Sequence, residues 1–197
     1  YTGGKLHFSG ISTAKGVSLI ANAKVEGLNV TVDVHALNLM FNDGTIKLLD
    51  ANYKVFPPLR GESDRYALIE GVKSGTIDVI VSNHAPHEED CKKLEYNYAD
   101  FGAEAFETVL SGLLTYTDLS LEIIEGALAA NPRKVLGLDK VSFVEGEELN
   151  AVIVDPVVER TISKRDILSK SKNNPLIGKT LKGDVAAVFN KGVYQLF

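Results

Sequence analysis

The sequence holds one cysteine, Cys91, in 197 residues, so no internal disulfide can form. That suits a reducing compartment, and the cytoplasm is the expected location. There is no excess of base. The 26 acidic residues outnumber the 21 basic ones, for a net charge of −5, which argues against nucleic acid as a main partner. Blocks of like charge are missing too, so nothing reads as an interaction tail. No uninterrupted apolar run approaches the roughly 20 residues of a membrane helix. A charged n-region followed by a long apolar stretch is absent, so no signal peptide is read. Neither an internal repeat nor a low-complexity tract is found. What remains is 45% hydrophobic, 24% charged and 8% aromatic, the composition of an ordinary globular chain. The length fits one large domain, or one domain with a small appendage. Because the chain opens on Tyr1 and enters an apolar stretch at once, a further N-terminal portion is expected outside it.

Short β-like runs alternate with helix-like stretches as far as Gly137. Lys5 to Ser9 is a strand candidate. Thr13 to Glu26 carries Val17, Ile20, Ala21 and Val25 at helical spacing and stops at Gly27. Asn29 to His35 is β-branched and predicts a strand, as does Tyr53 to Phe56 before Pro57-Pro58. Glu62 to Ser74 predicts a helix ended by Gly75. Ile77 to Ser82 is almost wholly apolar, like a buried parallel strand. Helices are predicted over Ala103 to Thr115 and Leu121 to Ala129, the second capped by Ser120. A short helix should follow from Pro132 to Gly137. This alternation implies βαβ units and a parallel sheet. From Val141 the rhythm changes. Asn150 to Val154, Val157 to Ile162 and Asp184 to Phe189 are β-rich, and Asn190-Lys191-Gly192 reads as a turn before Val193 to Phe197. A boundary near residue 140 divides an α/β part, 1–140, from a small β part, 141–197.

The loop after the last parallel strand reads Ser82-Asn83-His84-Ala85-Pro86-His87. Histidines at the carboxyl end of a parallel strand suit metal or substrate binding. On spacing alone, surface loop histidines without function are the favoured reading. Cys91 sits among Glu88, Glu89, Asp90, Lys92 and Lys93. Acidic neighbours raise a thiol's pKa, so it reads as incidental rather than nucleophilic. Arg60 and Arg65 read as structural ion-pair formers. Gly44 to Asp50 carries no assignable feature.

Taken together, the motifs run in a definite order. Phe56-Pro57-Pro58-Leu59-Arg60 precedes Asp64-Arg65, then Gly75-Thr76-Ile77-Asp78, then Asn83 to His87, then Phe101-Gly102-Ala103-Glu104. This series resembles the dihydroorotases of the amidohydrolase superfamily, which read N-P-P-L-R, D-R, G-T-I-D, D-H-A-P-H and F-G-x-x-x-x-E. Lys5 to Thr13 resembles the family's H-x-C-H-V-S-T, and Thr31 to Leu39 its T-A-E-V-T-P-H-H-L. The resemblance implies the second half of a (β/α)8 barrel, strands five to eight, with a small C-terminal β domain. It also implies an activity, the reversible hydrolysis of dihydroorotate to carbamoyl aspartate in pyrimidine synthesis. The family's H-x-H metal motif and bridging carboxylate would lie upstream. A closed barrel takes about 250 residues, more than the α/β part supplies, so open sheet edges are expected.

The same resemblance marks departures. The family's metal-ligating histidines fall on Gly10 and Leu37. Its catalytic aspartate, which holds metal and carries the proton, falls on Asn83, and its substrate-contacting asparagine on Phe56. In the family, zinc activates the water and the aspartate moves the proton. Gly10 and Leu37 have no donor atom, and a neutral amide at Asn83 is no base. No zinc is therefore expected on these residues. His35 stands two residues before Leu37 and would share its face if the strand continued, which makes it a candidate displaced ligand. His7 has the wrong parity and should pair elsewhere. His87, with Phe101 and Gly102 beside it, keeps the family's substrate-contacting residues. Three functions follow. One is a degraded dihydroorotase homologue acting as a non-catalytic subunit, in an oligomer with an aspartate transcarbamoylase-type partner. The others are an active cyclic amidohydrolase with an altered metal set, and a small-molecule binding module.

Overall fold

A computed structural model describes residues 3–46 and 49–197. The chain's opening at Tyr1, and Lys47 and Leu48 of the unassigned Gly44–Asp50 stretch, lie outside the described residues.

The α/β part is built on three short parallel strands, β1 (Leu6–Phe8), β2 (Val30–His35) and β3 (Val79–Val81), in the order β1-β2-β3. Leu6 pairs with Val30, and Asp33 with Val79. The β-branched run of β2 is buried from Val32 to His35, as a central parallel strand requires. Helix α1 (Ala14–Val25) starts where the Thr13 hydroxyl accepts the Gly16 N–H, and it ends before Gly27 at φ +77°. Helix α3 (Glu62–Lys73) carries Glu62 and Asp64 in its first turn and buries Leu68, Ile69 and Val72. Asp64 also accepts the Ala14 N–H at 2.8 Å, tying α3 to the start of α1.

Several predicted elements differ. Strand β2 stops at His35 and turns straight into α2 (Ala36–Met40), so His35 and Leu37 do not share a strand face. Tyr53 to Phe56 form no strand: residues 51–53 make a 3-10 turn, because β2 pairs directly with β3. Tyr53 packs edge-on against Phe41, with its hydroxyl donating to the Pro175 carbonyl. The helix predicted from Ala103 begins later. Ala103 pairs with His84 in a parallel bridge, residues 106–108 form a 3-10 turn, and α5 spans Val109–Tyr116. Helix α4 (Glu89–Lys92) is a single turn in the loop after β3. Helix α6 (Leu121–Glu125), capped by Ser120, runs through a wider turn at 126–130 directly into α7 (Asn131–Leu136). The two helices predicted on either side of residue 130 are therefore one continuous run, and Pro132, which has no N–H, directly follows the wider turn.

Beyond residue 141, β4 (Ala151–Thr161), β5 (Thr180–Asn190) and β6 (Val193–Leu196) form an antiparallel sheet in that order. The two runs predicted on either side of Pro156 are one strand with a register shift between Asp155 and Glu159. Lys191 at φ +49° and Gly192 at φ +77° turn β5 into β6, the geometry of a tight hairpin. Ile162, Ile167, Leu176 and Leu181 join Val32, Leu39, Leu68 and Leu113 in one apolar cluster, so residues on both sides of position 140 share a core. The fold is the second half of a (β/α)8 barrel with a small β sheet, and the parallel sheet is not closed.

Candidate functional site

The carboxyl ends of parallel strands gather the residues singled out by the motifs. Gly10 follows β1, His35 ends β2 and Asn83 follows β3. At their centre is Asp33, whose side chain is only 5% exposed. Its Oδ1 accepts the Gly10 N–H at 2.7 Å, and its Oδ2 meets His7 Nε2 at 3.0 Å. His7 is also held by Thr31 Oγ1 at 2.8 Å, so both its ring nitrogens are engaged, and through Asp33 it stands beside Gly10.

His35 is 8% exposed, and its Nδ1 is buried with no partner. Nε2 lies 3.9 Å from Asp33 Oδ1. Burial pushes the imidazole below its usual 6.5 and outweighs the pull of Asp33, so His35 is neutral at pH 7. Its ring occupies the space beside Gly10, where an added Cβ would sit 2.9 Å from Nε2 and 3.1 Å from Cε1. Leu37, in the first turn of α2, is 4% exposed and packs in the apolar core. Asn83 holds a left-handed φ of +48°, and its Nδ2 donates to the Phe56 carbonyl at 3.1 Å. That contact requires an N–H, so the position is fitted to an amide and not to a carboxylate.

His87, Phe101 and Gly102 are brought together. His87 Nε2 donates to the Phe101 carbonyl at 2.8 Å, and Asp100 lies 3.7 Å from Nδ1. Gly102, at φ +135°, has no room for a side chain, because a Cβ would stand 2.4 Å from the Ala85 carbonyl oxygen. The Phe56 and Phe101 rings meet edge to face with centroids 6.0 Å apart. Arg65 is structural, bonded to Glu62 and to the carbonyls of Leu39 and Tyr116. Arg60 departs from expectation: among the described residues its recorded contact is Nε to Ser12 Oγ at 3.4 Å, with no ion pair. At Cys91 a hydrogen bond with Asp100, burial and the neighbouring acids raise the thiol's pKa, in line with an unreactive role.

Sequence reasoning missed two buried lysines. Lys54 Nζ donates to the carbonyls of Asn97 and Ala99 and lies 4.6 Å from the Phe101 ring centre. Lys92 Nζ donates to those of Asp100 and Gly102, and burial beside Lys54 lowers its pKa to about 8. They clamp the loop that presents Phe101. Lys92 lies in a charged run, which carries no signal of such burial, and Lys54 lies between Tyr53 and Val55. A cavity of about 290 Å³ lined by Asp50, Glu89, Lys92, Lys93, Lys164 and Lys172 includes none of Gly10, His35, Leu37, Asn83 or His87.

No family model matches the chain. Among curated proteins it is 40% identical over 195 residues to a dihydroorotase of Caldanaerobacter subterraneus, covering 97% of this chain and 45% of that protein. It is 41% identical over 189 residues to a dihydroorotase of Carboxydothermus hydrogenoformans, covering 92% and 44%. The chain belongs to the dihydroorotase family. It spans about half the length of these relatives, and its motif series is that of the family's C-terminal half. Among solved structures, L-hydantoinase from Arthrobacter aurescens superposes with a TM-score of 0.90 at 24% identity, over 99% of this chain and 46% of that one. An inactive dihydroorotase-like domain of a Chaetomium thermophilum CAD-like multifunctional protein gives 0.66 at 22% identity, over 96% and 50%. These two share the fold.

The dihydroorotase family is metal-dependent, so its ligand positions can be tested against the residues here. They do not fit. Gly10 has no donor and its flank is filled by His35, Leu37 faces the core, and Asn83 is turned to a carbonyl. Of the two imidazoles beside Asp33, His7 is held by Asp33 and Thr31 and His35 is packed beside Gly10, and zinc needs about three protein ligands.

Proposed function

We propose that this dihydroorotase-family chain has lost the family's hydrolytic centre and serves pyrimidine biosynthesis as a non-catalytic subunit. The observation that carries the reading is the packing of His35 beside Gly10, which puts a neutral, buried imidazole where the family keeps a metal ligand's flank. A hydrolytic step on a cyclic amide needs an activated water and a base to move its proton. Asn83 supplies neither function, and Asp33 is engaged by the Gly10 amide and His7.

A binding role is supported by what remains. The open edges of the parallel sheet and the exposed Leu6 and Phe8 of β1 suit pairing with either an N-terminal half-barrel or another copy of the chain, and an oligomer is the assembly we propose. An aspartate transcarbamoylase-type enzyme is the proposed partner class and the cytoplasm the proposed location. The test is a dihydroorotate hydrolysis assay in both directions on the full chain, alone and with aspartate transcarbamoylase, beside analytical ultracentrifugation. No turnover with co-sedimentation is the expected result. Turnover by the unmodified protein refutes the loss of catalysis. A cooperatively melting monomer that ignores the transcarbamoylase refutes the subunit role.

A further inference from the structure

A second group of ligand-type side chains begins at His84, directly after Asn83, and includes none of Gly10, Leu37 and Asn83. His84, Glu104 and Glu107 each offer an atom within 4.8 Å of the others. The parallel bridge between His84 and Ala103 sets the first beside the second. The 3-10 turn at 106–108 then swings Glu107 back toward both. Glu104 is completely buried. One of its oxygens accepts the Phe106 N–H at 2.8 Å and the other the Asn174 side-chain amide at 2.6 Å. Glu107 Oε1 accepts the N–H groups of Leu168 and Ser169, whereas Oε2 is buried and no N–H reaches it. His84 Nδ1 lies 3.3 Å from Glu104 Oε1.

Two facing carboxylates in a buried setting cannot both stay charged without something positive between them. A shared proton satisfies two oxygens. It leaves outside the pair the His84 imidazole, whose Nδ1 accepts the Ala105 and Phe106 N–H groups at 3.5 and 3.3 Å and whose side chain is 30% exposed to solvent. A metal ion uses all three groups.

We propose that His84, Glu104 and Glu107 form a mononuclear site for a divalent transition-metal ion of the zinc class, separate from the family's hydrolytic centre. One nitrogen and two carboxylate oxygens make three protein ligands, with the fourth position on the solvent side at His84. The imidazole selects zinc-class ions over magnesium and calcium, which prefer all-oxygen sets. The carboxylates are already oriented by Asn174, the Phe106 N–H and the N–H groups of Leu168 and Ser169, the outer support that metal sites need. Binding joins the loop after β3, the turn before α5 and the 168–174 segment. It therefore stabilises the fold by mass action.

The test is a titration of the chelator-treated full chain with Co²⁺, followed by visible absorption and competed with Zn²⁺ and Mg²⁺. One equivalent should bind with a d–d band, Zn²⁺ should displace it, and Mg²⁺ should not. The melting temperature should rise with it. His84→Ala and Glu107→Gln should each weaken binding by at least about tenfold, while His7→Ala leaves it unchanged. His84 is at the surface, so His84→Ala carries the test even if Glu107→Gln perturbs folding. Absence of saturable binding overturns the proposal, as does binding indifferent to His84→Ala. Binding lost in His35→Thr but kept in His84→Ala would place the metal at the family's centre and overturn it too. The readout is affinity, so its failure is distinct from turnover of dihydroorotate.

Discussion

Replacing Gly10 tests the packing on which the functional reading rests. A Cβ at this position would stand 2.9 Å from His35 Nε2, 3.1 Å from Cε1 and 3.3 Å from Pro57 Cδ. Each is closer than ordinary van der Waals contact, and His35 is buried with little freedom to withdraw. Overpacking of this kind costs about 1–3 kcal/mol. The backbone adds a second cost, since φ is +75° and an L-residue loses about 1–2 kcal/mol there. Gly10→Ala should therefore destabilise by about 2–5 kcal/mol in the parent chain. In a His35→Thr background the steric part disappears and the backbone part, about 1–2 kcal/mol, remains. The coupling read from a double-mutant cycle is then about 1–3 kcal/mol, the range expected for residues in contact. Urea denaturation of the four proteins at pH 7.5, with equal m-values as a control, measures it. Equal cost in both backgrounds, within about 0.5 kcal/mol, would show that His35 does not fill this space. The same geometry bears on rebuilding the centre. Gly10→His, Leu37→His and Asn83→Asp together still force a new imidazole into His35, so His35→Thr has to accompany them.

Three further outcomes are expected. His35 is held below 6.5 by burial, so the unfolded chain takes up its proton more readily than the folded one. The stability it contributes is complete above pH 6.5 and falls as pH drops through the lower folded value, so melting temperature should decline between pH 7.5 and 5, less steeply in His35→Thr. Asn174→Ala removes the amide donor to Glu104 and Thr108 and the acceptor of the Leu176 N–H. With buried groups left unpaired it should cost about 2–4 kcal/mol in a denaturant melt, and a loss under about 1 kcal/mol would show the network to be slack. Asn83→Asp sets a carboxylate against the Phe56 carbonyl and should lower the melting temperature without producing dihydroorotate turnover, as measured by differential scanning calorimetry and by a coupled assay.

Relatives about 40% identical to this chain are dihydroorotases, whereas the chemistry of that family rests on a few positions. Forty per cent identity stands beside a glycine, a leucine and an amide at the three positions that the motif resemblance assigns to ligands. Fold similarity is spread over a core of many small contributions, so it outlasts the loss of single catalytic groups.

Local pattern in the sequence determined the β/α alternation, the Ser120 cap, the Lys191-Gly192 turn and the family itself, because propensity, capping and turn chemistry act over a few residues. Motif order likewise placed Gly10, Leu37 and Asn83. Tertiary structure alone decided the rest. Strand β2 bends into α2 at Ala36, so the candidate His35 does not stand in for Leu37 on a common face; it packs beside Gly10 instead. Tyr53 to Phe56 lose their strand because β2 and β3 pair directly. Lys54, Lys92 and Glu104 become buried, and Glu104 and Glu107 meet His84, through contacts spanning up to tens of residues. Burial and long-range pairing depend on which surfaces close over a side chain, and neither spacing nor residue type encodes that locally.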